Sequence, residues 1–403
     1  MSTPSAPVSP LEYPAAESPP SWHRGLTGLW LRMAVFSVPV VLIAGLVEFA
    51  LWRSGDTWPL PAVAARQQHA PAVFLRELMP QDLHAYKLAR LALQRPRVLV
   101  LGSSRASQMR AGMLGETRQT FFNGSGMVDA VSDLDQLCTG GGAPDVVLLA
   151  VDLWWFNDSL PPVDRDAAGD GAANWRAHIA AGRKLLTRPA LLGDMLAAPS
   201  AADSDRIGIG ARRTGSGFRQ DGSMRLTFVP PSDPARWTFE DREVPPVIDR
   251  VRAASHQFVE SDRHRVSGER LAHLQMFVDR CRTQGIAVAA FAPPFSTEVF
   301  HTLRQDARHR GLLSSFRLEV AGLLDRAGVP FVDATDLAAL GLDDRYMFDG
   351  FHPSETFHLH FLRHLLDQYP ATAAMLPGAR RAIEALLSAP ATNFWYVGLP
   401  PGE

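Results

Sequence analysis

The chain has 403 residues, 46% of them hydrophobic, and a formal net charge of −2. That is enough apolar material for a large core and for more than one domain. The charge is nearly balanced and no long basic stretch occurs, so the electrostatic footprint of a nucleic-acid binder is missing.

Residues 1–28 open as a Pro-, Ser- and Ala-rich tail that is expected to be disordered. Residues 29–53 follow as a transmembrane signal anchor. Met33 to Val47 carry no charge, Trp30 and Trp52 stand where interfacial aromatics belong, and Arg32 and Arg53 flank the run. At about 1.5 Å per residue the stretch crosses a hydrocarbon core of roughly 30 Å. A buried core helix is the alternative, but the flanks offer no partner layer. A cleaved signal peptide fits poorly, because no small-x-small site follows the apolar run. Flanking charges leave the orientation open. The anchor puts the bulk of the chain outside the cytoplasmic membrane of a bacterium, in the periplasm or exterior.

Residues 54–95 read as a helical, proline-punctuated connector. The soluble body then alternates strands and helices. Arg97–Leu101, Thr120–Asn123, Asp145–Val151, Ile286–Phe291 and Val329–Asp333 are short apolar runs, and helical patterns over about 269–282 and 316–327 separate the later ones. Apolar strands divided by helices predict an α/β fold, a three-layer α/β/α sandwich around a parallel, flavodoxin-like sheet spanning 96–390. Functional residues in such sheets gather at the C-terminal strand ends. Residues 158–260 break the rhythm and read as an insertion folded over those ends, with a helix near Trp175–Leu186 and a turn at Asp221-Gly222. Residues 391–403 form a C-terminal tail. Cys138 and Cys281 are far apart in sequence, and whether they pair is not readable.

The chemistry-bearing pieces are Gly102-Ser103-Ser104-Arg105, just after the first strand, and Asp349-Gly350-Phe351-His352-Pro353 near the other end. Read alone, the first is a strand-to-helix turn with a serine cap and the second a turn into a helix. Together, in this order, they supply Ser104 as nucleophile, His352 as base and Asp349 as its orienting carboxylate. No His-Glu-x-x-His or paired Cys-x-x-Cys stands out, so neither a metal nor another cofactor is expected. His301, His309, His358 and His360 read as helix-surface positions.

These blocks resemble those of the SGNH (GDSL-type) hydrolase superfamily over about residues 97–365, the insertion excepted. The family's Gly-Asp-Ser corresponds to Gly102-Ser103-Ser104, and its Asp-x-x-His to Asp349 and His352. Its second-block glycine, a backbone donor to the oxyanion, is best matched by Gly124. Its third block, Gly-x-Asn-Asp, falls on Ala150-Val151-Asp152, where the donor Asn is missing. An ionised Asp152 donates no hydrogen bond, so Asn157, Arg105 or backbone amides must take that role. Arg105, Asp152 and Trp155 are the further candidates for holding substrate. The variant block on an anchored chain is similar to the branch containing the teichoic-acid D-alanylation protein and the SGNH-like proteins of alginate acetylation. The resemblance implies a serine esterase or O-acyltransferase acting on a cell-envelope or exported polysaccharide, beside a multi-pass membrane acyltransferase. The missing Asn leaves the alternative of a silent glycan-binding or scaffolding component.

Overall fold

A computed structural model of the protein describes residues 22–77, 79–127, 143–160, 172–227, 244–389 and 397. The tail over residues 1–21, Cys138, and the C-terminal tail apart from Val397 lie outside those residues. The chain divides into two compact units, Met1–Ala50 and Leu51–Glu403.

Helix α1 (Trp22–Ser54) begins in the first unit, so residues 22–28 are helical and do not belong to the tail. Its stretch Gly28–Ser54 has 27 residues and a mean hydropathy of 2.3, and it is the one helix among the described residues long and apolar enough to cross a membrane. Val40, Val41, Leu42 and Ile43 point in successive directions round the helix and are all exposed. Over residues 28–46 the helix is exposed on every side, which a core helix is not, while Val47, Ala50 and Leu51 near its end are buried.

The second unit holds two sheets. In chain order its strands are β1 (Val73–Phe74), β2 (Val98–Leu101), β3 (Phe121–Asn123), β4 (Val146–Ala150), β5 (Arg206–Ile207), β6 (Gly217–Phe218), β7 (Met224–Arg225), β8 (Ala287–Ala292) and β9 (Phe331–Asp333). The larger sheet has the order β3-β2-β4-β8-β9, and every pairing in it is parallel. These strands fall on the five apolar runs. Alternate side chains leave opposite faces. Leu99, Leu101, Val147, Leu149 and Ala290 join one core cluster with Val247, Phe277 and Val278. Val98, Val100, Val146, Leu148 and Phe291 join another with Phe357, Phe361, Leu365 and Ile383. Burial on both faces is why these strands read as continuous apolar runs.

The smaller sheet runs β5-β1-β6-β7. It joins the segment read as a connector to the segment read as an insertion. Helices α2 (Leu60–His69) and α3 (Met79–Leu93) flank β1 in sequence, and Phe74, Tyr86, Ile207 and Phe218 share a small core. The Arg219–Ser223 loop between β6 and β7 is buried against β3. Asn123 N–H donates to Asp221 O at 2.7 Å, and Ala111 N–H to Asp221 Oδ2 at 3.0 Å. Lys87 of α3 is fully buried beneath the same loop, donating to Asn123 O at 2.6 Å, and burial pushes its ammonium down to about 7. Phe218–Ser223 therefore braces the sheet, with Asp221-Gly222 in its turn.

The helix Glu355–Gln368 covers one face of the large sheet. Ser354 starts it by accepting from Phe357 N–H at 3.2 Å. His358 on this helix is fully buried against Phe291 and Phe357, not on its surface. Burial pushes its imidazole down to about 3, only partly offset by the Arg105 backbone carbonyl. Below an unfolded-state value of about 6.5 the unfolded chain takes up a proton that the folded chain refuses, so stability falls as pH drops from there toward 3. His358 should cost about 2 kcal/mol of stability between pH 7 and pH 5. Urea unfolding of detergent-solubilised protein should show His358→Leu losing that much less over the interval. Equal pH slopes for variant and parent would mean that the buried imidazole does accept the proton.

Candidate active site

Strand β2 ends in Gly102, where φ is +150° and an added Cβ would lie 2.6 Å from that of Ala150. Only glycine lets the chain turn this tightly over β4. Ser103 then caps the short turn Ser104–Ala106 by accepting from Arg105 N–H at 3.2 Å. The capping role thus falls to Ser103, and the Ser104 side chain is left exposed. Beneath the turn, Asn123 Nδ2 donates to the carbonyls of Ala106 (2.9 Å) and Met109 (2.8 Å).

Asp349 to Pro353 form a tight loop closed by a bridge between Met347 and Pro353. Asp349 Oδ1 accepts from the backbone N–H groups of Phe351 (2.7 Å) and His352 (2.6 Å), which aims its other oxygen at His352 Nδ1, 2.8 Å away. His352 Nε2 lies 3.0 Å from Ser104 Oγ. The loop therefore brings Ser104, His352 and Asp349 into one hydrogen-bonded chain. Burial alone would raise the Asp349 carboxyl, but the facing imidazole, its hydrogen bond and the two amides outweigh it and hold the group below its ordinary range. A charged Asp349 fixes the proton on Nδ1 and leaves Nε2 free to accept from the serine hydroxyl. The chain is open to solvent: the His352 side chain is 34% exposed and Asp349 19%.

The other foreseen residues take different places. Arg105, foreseen as a substrate contact, is 1% exposed and turns inward. Its guanidinium donates to Asp152 Oδ1 (2.9 Å), Phe351 O (3.1 Å), Pro293 O (2.8 Å) and Pro294 O. It lies over the rings of Phe295 (4.2 Å), Phe351 (4.8 Å) and Trp154 (5.4 Å). It thus ties together the ends of β2, β4 and β8 and the loop carrying His352. Asp152 is fully buried as its partner; burial pushes its carboxyl up, against the pull of Arg105, the Ser103 hydroxyl and His352. Trp155 is 1% exposed in the core, and its neighbour Trp154, half-buried and stacked on Phe351 at 5.1 Å, is the ring beside the site.

Both foreseen oxyanion donors have partners elsewhere. Gly124 N–H donates to Val100 O at 2.8 Å, and Asn157 Nδ2 to Val259 O at 2.6 Å. Ser104 N–H has no partner among the described residues. His309 is buried, with Nε2 2.9 Å from Val251 O, and is not a solvated position. The sequence did hold a signal for the Arg105–Asp152 pair. Opposite charges stand just past the ends of two adjacent apolar strands, whose register pairs Leu101 with Leu149.

No protein-family model matches the chain, and no curated protein matches it. A functional assignment therefore rests on fold and geometry.

Arg105→Met leaves a buried carboxylate without its cation and should cost about 3–5 kcal/mol. Adding Asp152→Asn removes the orphaned charge and should recover about 1–3 kcal/mol of that. Denaturant unfolding of both variants checks this; no recovery in the double variant would mean that the carbonyl contacts, not the ion pair, dominate.

Proposed function

We propose that the chain is a single-pass protein of a bacterial cytoplasmic membrane whose exported unit is an SGNH-type, three-layer α/β/α domain. It performs acyl-ester chemistry on a cell-envelope or exported polysaccharide, beside a multi-pass membrane acyltransferase. The observation that carries the reading is the 3.0 Å and 2.8 Å chain from Ser104 through His352 to Asp349. The strand order β3-β2-β4-β8-β9, with that chain at the C-terminal strand ends, supports the fold assignment. Helix α1 supports the anchor.

In the proposed reaction Ser104 Oγ attacks the ester carbonyl as its proton passes to His352 Nε2. Asp349 stabilises the imidazolium that forms. The Ser104 N–H donates to the developing oxyanion. Collapse expels the alcohol, which takes the proton from Nε2, and leaves an acyl group on Ser104. A second hydroxyl, from water or from a sugar, gives its proton to His352 Nε2 and takes the acyl group, and Ser104 Oγ leaves with that proton, restoring the starting state. The exposed Ser104 side chain suits an extended polymer better than a small molecule that needs enclosure.

The commitment of Gly124 N–H and Asn157 Nδ2 elsewhere favours a second reading, a silent domain that binds glycan or scaffolds the membrane acyltransferase. Covalent labelling separates the two. A fluorophosphonate probe should mark the parent protein, fail on Ser104→Ala, and react about 10³- to 10⁴-fold more slowly with Asp349→Asn. A parent protein that takes no label belongs to the scaffold reading. With an activated acyl ester and a soluble polysaccharide present, acylated sugar marks a transferase and free acid alone an esterase.

A further inference from the structure

We infer that the second unit has a face built to lie on anionic phospholipid headgroups. Helices α4 (Ala172–Thr187) and α5 (Pro189–Ala197) and the chain that follows them to residue 213 form it. The inference rests on reading α1 as the membrane anchor, and not on the reading of Ser104.

The first observation is position. Gly28–Ser54 has 27 residues, and at about 1.5 Å each it is about 40 Å long, the depth of a hydrocarbon core plus its headgroup layers. With α1 across the bilayer, its last turn lies at headgroup level. That turn, Leu51–Ser54, belongs to the second unit and is bonded to it from several sides. Arg53 Nε and Nη2 donate to Ala198 O, just past α5, at 3.2 and 3.0 Å. Ala201 N–H donates to Arg53 O at 2.8 Å, and Gly208 N–H to Ser54 O at 2.7 Å. Arg212 Nη2, on the short helix Ile209–Thr214, donates to Arg53 O at 3.4 Å. The residues bonded to the turn stand at the lipid surface with it. Helix α5 is about 13 Å long, so it can carry the α4–α5 junction along that surface or away into water.

The second observation is chemistry, and it decides between the two. Ile179, Arg183 and Leu186 follow the i, i+4, i+7 spacing of one helical stripe, and all three are exposed, Ile179 by 57% and Leu186 by 53%. Ala181 and Leu185, off that stripe, are buried. In water such a helix would turn its isoleucine and leucine inward. Arg183, Arg188 and Arg213 are exposed, and their side chains make no hydrogen bond or ion pair among the described residues. Helix α4 has no carboxylate, and residues 183–213 hold six arginines or lysines against three aspartates, although the whole chain carries a net −2. Apolar side chains beside unpaired guanidiniums match the boundary where acyl chains meet phosphates. The carbon enters the first layer, the cation bonds the second, and net negative lipid strengthens the pull. A polyanion in water would satisfy the arginines and leave Ile179 and Leu186 bare.

The test uses the full chain reconstituted in vesicles of phosphatidylcholine alone or of equal parts phosphatidylcholine and phosphatidylglycerol. In a Cys138→Ser background, Cys281 being buried, a nitrobenzoxadiazole dye is attached through Leu186→Cys. The control carries it through Leu318→Cys, at a position 75% exposed in the segment Phe316–Val320. A phospholipid with a nitroxide near the top of its acyl chain is the quencher. In anionic vesicles the Leu186 dye should be quenched at least about twofold more than the Leu318 dye, and more than in phosphatidylcholine alone. Combining Arg183→Gln, Arg188→Gln and Arg213→Gln should bring that quenching down to the phosphatidylcholine value. Flotation of the vesicles after a carbonate wash reads the anchor separately. Protein left behind by the floating vesicles overturns the anchor and this inference together. Protein that floats overturns the inference alone if both dyes are quenched alike, if the two lipid compositions give equal quenching, or if the triple variant behaves as the parent.

Discussion

A buried guanidinium holds the candidate site of this structure together. Arg105 lies one residue past Ser104 and reaches Asp152 past β4, the carbonyls of Pro293 and Pro294 past β8, and the carbonyl of Phe351 beside His352. Three segments far from it in sequence thus converge on one planar cation with fixed donor directions. Taking a guanidinium out of water is expensive and is offset only when its donors and charge are satisfied. Three aromatic rings around it exclude water and add their own attraction for the cation. A lysine would supply the charge but not the fork, so it could not reach the four partners at once.

Rigidity of this kind also comes from below. Asn123 holds the carbonyls of Ala106 and Met109, and Lys87 and Asp221 hold the backbone of Asn123 in turn. The small sheet thus acts on the serine turn through a ladder of buried hydrogen bonds and also directly, since Met224 N–H of β7 donates to Ser107 O at 2.7 Å. Each rung is a polar group that would be costly to leave unmatched. The 54–95 segment is for the same reason a structural member and not a linker.

What the sequence made legible follows from what has a period or a motif. The five strands of the large sheet are apolar on both faces, so they stand out as runs; the serine and histidine turns stand out because glycine and proline punctuate them. The two-residue strands of the small sheet have no period to read. Burial of charge is invisible too: Arg105, Asp152, Lys87 and Arg219 look like surface residues until their partners are known. Trp154 and Trp155 are neighbours of one chemical type, and only the short helical turn Leu153–Phe156 decides which faces the site and which the core. Gly124 and Asn157 had the right chemistry for the oxyanion, but backbone pairing and a loop carbonyl claimed them first.

The exposure of the serine hydroxyl has a cost in dielectric. Charge developing on an oxygen at Ser104 would be screened by water far more than in an enclosed cleft, so each donor aimed at it counts for less. Under the proposed reaction, nothing among the described residues would have to move before a long chain left Ser104, and departure of product need not limit turnover. If Ser104 acts as proposed, it trades intrinsic speed for access along the length of a polymer.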